Sequence, residues 1–193
     1  KAARGIVRRE VTRIITPGTL IETDLLNEKS NNYLATIYFD GDSLGMCFAD
    51  ISTAYISATS FSGTLSAESV INELSTYNPK EIIISAALKS LPKIAEHIKT
   101  RMETSVSESA SAFFVPDEAI ERTEAQFSPE QTAGKPRSAI IAVGAALKYI
   151  ADTQKCDISY LKSLNVYESS QFLEMDSSTR RNLELCETML SKE

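Results

Sequence analysis

Between Tyr33 and Phe61 the chain sets short apolar runs against polar punctuation. Tyr33 to Phe39, Leu44 to Asp50 and Tyr55 to Phe61 are rich in aromatic and β-branched residues, the composition of strands lying on a pleated, half-buried surface. Asp40-Gly41-Asp42 between the first two is a tight hairpin signal, so the three runs predict an antiparallel meander. Ser66 can cap a helix running to about Thr76, with Val70, Ile71 and Leu74 on its buried side, and Asn78-Pro79 ends it. Ile82-Ile83-Ile84, inside the segment Glu81 to Ser85, is an unbroken apolar run that suits a strand covered on both faces, as in parallel pairing. Leu91, Ile94 and Ile98 recur at helical spacing, with Pro92 in the first turn, and predict a helix from about Leu91 to Arg101. Thr104 to Ser111 is Ser-rich and reads as an exposed loop. Ala112-Phe113-Phe114-Val115 reads as a last short strand, closed by Pro116.

Asp117 is a suitable N-cap for a helix to about Phe127; Ser128 to Pro136 breaks it, and Ser138 to Gln154 predicts a long helix with Ile140, Val143, Leu147 and Ile150 along one face. Ala142, Gly144, Ala145 and Ala146 make that helix thin. Gly costs about 1 kcal/mol relative to Ala in an exposed helix, so Gly144 implies the close approach of another backbone, with packing rather than a ligand as the reason. Upstream, Val7 to Ile15 is β-prone, and Thr16-Pro17-Gly18-Thr19 predicts a sharp turn, with Pro fixing φ at its second position and Gly supplying φ > 0 at its third. Leu20 to Lys29 is a helix-prone or irregular linker, and Asn31-Asn32 marks a boundary.

Of the 193 residues, 42% are hydrophobic and 24% charged, ordinary globular usage that argues against disorder and coiled coil. No apolar run approaches the roughly 20 residues of a membrane span, and no leader-like segment opens the chain, so a soluble cytoplasmic protein is expected. The net charge of −6 argues against a dedicated nucleic-acid binder, which needs clustered Lys and Arg. The charge is uneven, however: Lys1, Arg4, Arg8, Arg9 and Arg13 against Glu10 alone give +4 in the first thirteen residues and leave −10 for the remainder. The plain reading is a solvated tail or a charged edge strand; the sharper one makes Arg8, Arg9 and Arg13 DNA phosphate contacts. Cys47, Cys156 and Cys186 are odd in number and far apart, as reduced thiols rather than a disulfide framework. His97, the single histidine, lies beside Glu96 and Lys99 and reads as an exposed helix residue; no transition-metal site is expected.

Two stretches near opposite ends carry a family resemblance. Arg8-Arg9-Glu10-Val11-Thr12-Arg13-Ile14-Ile15-Thr16-Pro17-Gly18-Thr19-Leu20 and Met175-Asp176-Ser177-Ser178-Thr179-Arg180-Arg181-Asn182-Leu183-Glu184-Leu185 resemble segments of the MutS family of DNA mismatch repair proteins. Lys148-Tyr149-Ile150-Ala151-Asp152-Thr153-Gln154 is similar to that family's stretch at the end of its long connector helix. The resemblance implies three parts. Residues 1–30 correspond to the end of the mismatch-recognition domain and a linker, 31–155 to the connector domain, and 156–193 to the start of the lever domain. It also implies a fold: a ribonuclease H-like mixed five-stranded sheet of order 3-2-1-4-5 with flanking helices, plus a terminal strand and a C-terminal helix. Three meander strands, a helix, a buried strand, a helix and a strand are compatible with that order. In such a protein the connector links mismatch reading to the lever and ATPase parts and offers a docking surface for MutL. The full-length protein, a homodimer, binds mismatched DNA, ATP and Mg²⁺; the fragment alone does neither strongly, and has no cofactor of its own.

Other readings follow from the same residues. A ribonuclease H-like fold invites a metal-dependent nuclease, which places carboxylates on the first strand, an adjoining helix and the fourth strand. Tyr33 to Phe39 has no acid before Asp40, Ile82 to Ile84 has none, Glu73 stands on the first helix without evident partners, and Asp50 is unplaced. There is no Gly-x-x-x-x-Gly-Lys-Ser/Thr run for ATP, and no Ser-His-Asp set. No catalytic, cofactor or metal residue is therefore assigned, and an unrelated protein-interaction domain is the remaining alternative. Phe172-Leu173-Glu174 spells the family's Phe-x-Glu mismatch-reading motif, but it lies next to the lever segment between Glu168 and Asp176, without the basic surround of a wedge; Phe172 reads as a core or interdomain anchor. In the helix that follows, Asp176 can cap, Arg180 and Glu184 can pair, and Leu183, Cys186 and Leu190 form an apolar stripe, expected to fold back on the connector or to meet another copy.

Overall fold

A computed structural model describes residues 11, 13–19, 31–62, 67–107, 111–155 and 157–168. The meander forms as the apolar runs predict: β1 (Tyr33–Phe39), β2 (Ser43–Asp50) and β3 (Tyr55–Ser62) pair antiparallel, Leu34 opposite Ala49 and Cys47 opposite Ala58. The Asp40 carboxylate accepts from the Asp42 and Ser43 amides at 3.0 and 2.8 Å, and Gly41 takes φ +107 in the hairpin. Helix α1 (Ala67–Tyr77) ends at Asn78, whose φ of +44 turns the chain into Pro79; the cap expected at Ser66 lies outside the described residues. Next comes β4 (Glu81–Ile84), buried throughout and parallel to β1, as its unbroken apolar run requires. Helix α2 (Pro92–Arg101) follows, burying Ile94 and Ile98.

The next strand is not where the sequence pattern put it. β5 (Ser105–Ser107) forms in the Ser-rich segment expected to be a loop, parallel to β4, while Ser111–Phe113 is a single 3-10 turn. The aromatic pair is used for packing instead. Phe114 is buried and stacks on Tyr38 with centroids 6.0 Å apart, and Phe113 meets Tyr149 edge-on at 5.6 Å. Helix α3 (Pro116–Gln126) has Val115 at its N-cap and Pro116 at its first position, so Asp117 sits inside the first turn and faces Arg137 at 3.4 Å. One turn of helix, α4 (Pro129–Thr132), stands in the predicted break, and α5 (Arg137–Gln154) is the long helix. A sixth strand, β6 (Ser163–Val166), joins β3 in parallel, beyond residue 155, where the connector was expected to end.

The sheet order is β5-β4-β1-β2-β3-β6, the anticipated 3-2-1-4-5 arrangement read from the other edge, with one strand more than the expected five. Two apolar layers cover it. On one face α1 and α2 enclose Ile37, Met46, Phe48, Val70, Leu74, Ile82 and Ile94; on the other α3 and α5 enclose Leu34, Cys47, Ile56, Ile83, Val143 and Leu147. Thr36 on β1 donates to the Ala142 carbonyl of α5 at 2.7 Å, fastening helix to sheet through a buried hydroxyl. Full burial pushes the Cys47 thiol up to about 12, so it stays protonated and unreactive. The expected C-terminal helix, with Asp176, Arg180, Glu184 and its stripe, lies outside the described residues, as do Phe172, Cys156, Cys186 and the linker 20–29.

Gly144 faces the Ala119 backbone of α3 so closely that a Cβ would overlap its carbonyl, and the Arg122 guanidinium donates to the Gly144 carbonyl at 2.9 Å. The close approach inferred from the thin helix is thus an α3–α5 crossing. Replacing Gly144 with Leu is expected to lower stability by about 2–3 kcal/mol in urea unfolding; an unchanged midpoint would contradict this crossing.

Candidate functional site

Among the described residues, a dense set of polar bonds lies where the segment before β1 meets the sheet. Glu81 opens β4, pairs with Leu34 of β1 and is 3% exposed. A carboxylate taken out of water must be given donors. Glu81 receives three: Thr16 Oγ1 at 2.6 Å and the Gly18 amide at 3.0 Å reach Oε2, and Tyr149 Oη reaches Oε1 at 2.6 Å. The first two come from Thr16-Pro17-Gly18-Thr19 and the third from α5.

The turn is held from three further directions. Asn32 Nδ2 donates to the Pro17 carbonyl at 2.9 Å, Gln154 Nε2 donates to the Thr19 carbonyl at 3.0 Å, and the Ile14 amide donates to the Thr153 carbonyl at 2.7 Å. Pro17–Thr19 forms a 3-10 turn closed by the Thr19 amide on the Thr16 carbonyl at 3.0 Å, and the hydroxyls of Thr16 and Thr19 lie 2.8 Å apart. The glycine serves a different purpose from the one its sequence position suggests. Gly18 is not in the left-handed region; instead a Cβ there would lie 2.8 Å from Glu81 Cβ and 3.2 Å from Leu34 Cα. It is a space requirement. Burial and the Glu81 carboxylate push the Tyr149 phenol up to about 12, keeping it a donor.

The expected β-prone segment before the turn shows no regular strand at 11 or 13–15; residues 7–10 and 12, Arg8 and Arg9 among them, lie outside the described ones. Arg13 is half-buried, three residues before the turn, whereas Val11, Ile14 and Ile15 are 69%, 45% and 55% exposed. The turn is therefore seated mainly by polar bonds, with the apolar side chains of Ile14 and Ile15 just before it largely outside.

The three acids weighed for a nuclease are each engaged elsewhere. Asp40 accepts from the Asp42 and Ser43 amides in the hairpin, Asp50 is buried and accepts from the Ser52 hydroxyl at 2.6 Å and its amide at 3.0 Å, and Glu73 accepts from Tyr167 at 2.8 Å. The last contact corrects the expectation that Glu73 has no partner. Among the described residues no group of three or more His, Cys, Asp or Glu is placed to hold a metal ion, and no helix is long and apolar enough to cross a membrane. His97 is half-buried rather than exposed; desolvation and nearby Arg101 hold its imidazole below the usual value.

Sequence reasoning missed the roles of Glu81, Asn32 and Tyr149. The available signals were an acid heading an otherwise apolar strand and a polar Asn at a boundary. The fold and this joint define a ribonuclease H-like α/β domain with a built docking seat for the segment that precedes it. The family model described as MutS domain II matches residues 32–163. DNA mismatch repair protein MutS of Brevibacillus brevis is 40% identical over 192 residues, covering 100% of this chain and 20% of that protein. Those of Clostridium tetani and Ruminiclostridium cellulolyticum are 35% and 34% identical, covering 99% and 98% of the chain and 21% and 22% of the relatives. The chain belongs to the MutS family, and it spans about one-fifth the length of the relatives it matches.

Tyr149→Phe is expected to cost about 1–2 kcal/mol at neutral pH, the value of a partly buried bond to a charged acceptor. The neutral phenol is the form held in the fold, so its stabilisation is full below pH 10 and is lost as pH rises towards about 12. The stability gap between wild type and Tyr149→Phe should accordingly narrow over that window in denaturant titrations; a constant gap would rule out the bond.

Proposed function

We propose that this chain is the connector portion of a MutS-type mismatch repair ATPase. In this reading residues 1–30 end the mismatch-recognition domain, 31–155 form the connector and 156–193 begin the lever. β6 extends the connector's own sheet a little past that second boundary. The observation that carries the reading is the seated turn: the incoming chain is bonded to side chains of β4 and α5 rather than left as a loose linker. A domain passes force or population shifts between neighbours only if its core is rigid and its junction defined, and a core covered on both faces with a bonded entrance meets that condition.

The longer protein would bind mismatched DNA and ATP with Mg²⁺, act as a cytoplasmic homodimer and engage MutL through the connector; support for these comes from family membership. The fragment's own task is mechanical and partner-related, without catalysis. Any DNA contact from Arg8, Arg9 and Arg13 is sequence-independent phosphate contact.

The test is a titration of the fragment against homoduplex and G·T-mismatched DNA at low and physiological salt with Mg²⁺ present, alongside calorimetry with MutL. The expected outcome is weak, salt-sensitive DNA binding with no mismatch preference, intact DNA, and measurable MutL binding. Mismatch-selective binding would bring Phe172 or the basic N-terminal segment back as a reader, cleavage would revive the nuclease, and silence with MutL, where a longer MutS protein binds it, would remove the docking role.

A further inference from the structure

The seat of the turn has an unusual balance. Its bonds are numerous, but its apolar contribution is small, because Val11, Ile14 and Ile15 remain exposed and Gly18 brings no side chain. The sheet does not need the turn to complete its core: both apolar layers are built from strands and helices between Leu34 and Leu164. Elements held by hydrogen bonds, with few apolar contacts, open locally at lower free energy than the core. The side chains that hold the turn, Glu81, Asn32 and Gln154, are polar, so in a second, undocked state water can replace the bonds that the turn makes with them.

We propose that residues 14–19 form a peg that docks into and leaves the sheet end as one unit, with Glu81 as its latch, so that the direction of the chain preceding the connector is a two-state property. Glu81 is a positioning residue here. Its carboxylate gathers the Thr16 hydroxyl, the Gly18 amide and the Tyr149 phenol, and so bonds both the turn and α5. The Ile14–Thr153 bond extends the unit by two residues before the turn. This goes beyond the connector reading, since it depends on neither DNA nor MutL.

Amide hydrogen exchange on the whole 193-residue chain, followed by NMR, tests it. The Ile14 and Gly18 amides should share one opening equilibrium and exchange at least tenfold faster than amides of the central strands β1 and β2. Glu81→Gln places an amide donor among donors and should raise the peg's open population roughly tenfold or more; global unfolding starts from the same docked state and can rise by at most that factor, so the peg keeps its lead over the central strands. Thr16→Val, which takes the turn's own hydroxyl from the carboxylate and keeps the Gly18 and Tyr149 bonds to it, should raise the open population about three- to tenfold, and decides the matter if Glu81→Gln fails to fold. Tryptic cleavage of the Arg13–Ile14 bond should accelerate by matching factors, because proteolysis tracks the open population when reclosing is fast. Peg amides that exchange in step with the central strands in the wild type, or variants that leave peg exchange and Arg13–Ile14 cleavage unchanged, would overturn the proposal and show a welded joint.

Discussion

Burying a carboxylate away from water costs several kcal/mol unless donors replace the lost hydration, and the arrangement of this domain's entrance answers that demand. Glu81 cannot be satisfied from β4 or β1, whose backbone groups are spent on each other in the parallel ladder. Its donors must come from elsewhere: from a turn some sixty positions upstream and from a helix nearly seventy positions downstream. One side chain thereby fixes the relative place of three distant segments. Gly18 then follows as the only residue that lets the turn come close enough, and Tyr149 as a donor held neutral by the same environment.

Helix α5 is the second organising element. It lies across β1, β2 and β3, and its carbonyls at Ile140, Ala142 and Gly144 accept bonds from Thr123, Thr36 and Arg122 in addition to their helical ones. Small residues on its packed face allow such approach from sheet and α3 alike. Its last two turns carry Tyr149, Thr153 and Gln154 to the seat of the peg. The helix that closes the core therefore also builds the joint, and placement at one follows from packing at the other.

The meander, the parallel β4 and the helices were legible because each rests on a local signal: Asp40-Gly41-Asp42 for the hairpin, an unbroken Ile run for double burial, and apolar spacing for α2 and α5. β5 was not, because Ser105-Val106-Ser107 owes its strand state to a neighbour; parallel pairing with β4 overrides weak β propensity. Phe113 and Phe114 misled in the opposite sense, being aromatic for packing on Tyr149 and Tyr38 rather than for a pleated surface. β6 fell in a stretch that the resemblance had given to the next domain. In the joint, the Thr-Pro-Gly-Thr turn and the Lys148–Gln154 stretch both stood out in the sequence, yet nothing in it said that they touch. That contact spans 135 positions in the Gln154–Thr19 bond, and hydrogen-bond partners at such a distance leave no periodicity to read.

The two outermost strands have a bearing on how such a domain lives among neighbours. Among the described residues β5 has three and β6 four, and short margins of this kind offer little backbone for a foreign strand to continue the sheet. A protein built of several domains brings sheets near one another at high local concentration, during synthesis and afterwards. A domain with curtailed margins is protected there from splicing into another sheet, and a visitor has to recognise its side chains, whose chemistry can be tuned one residue at a time.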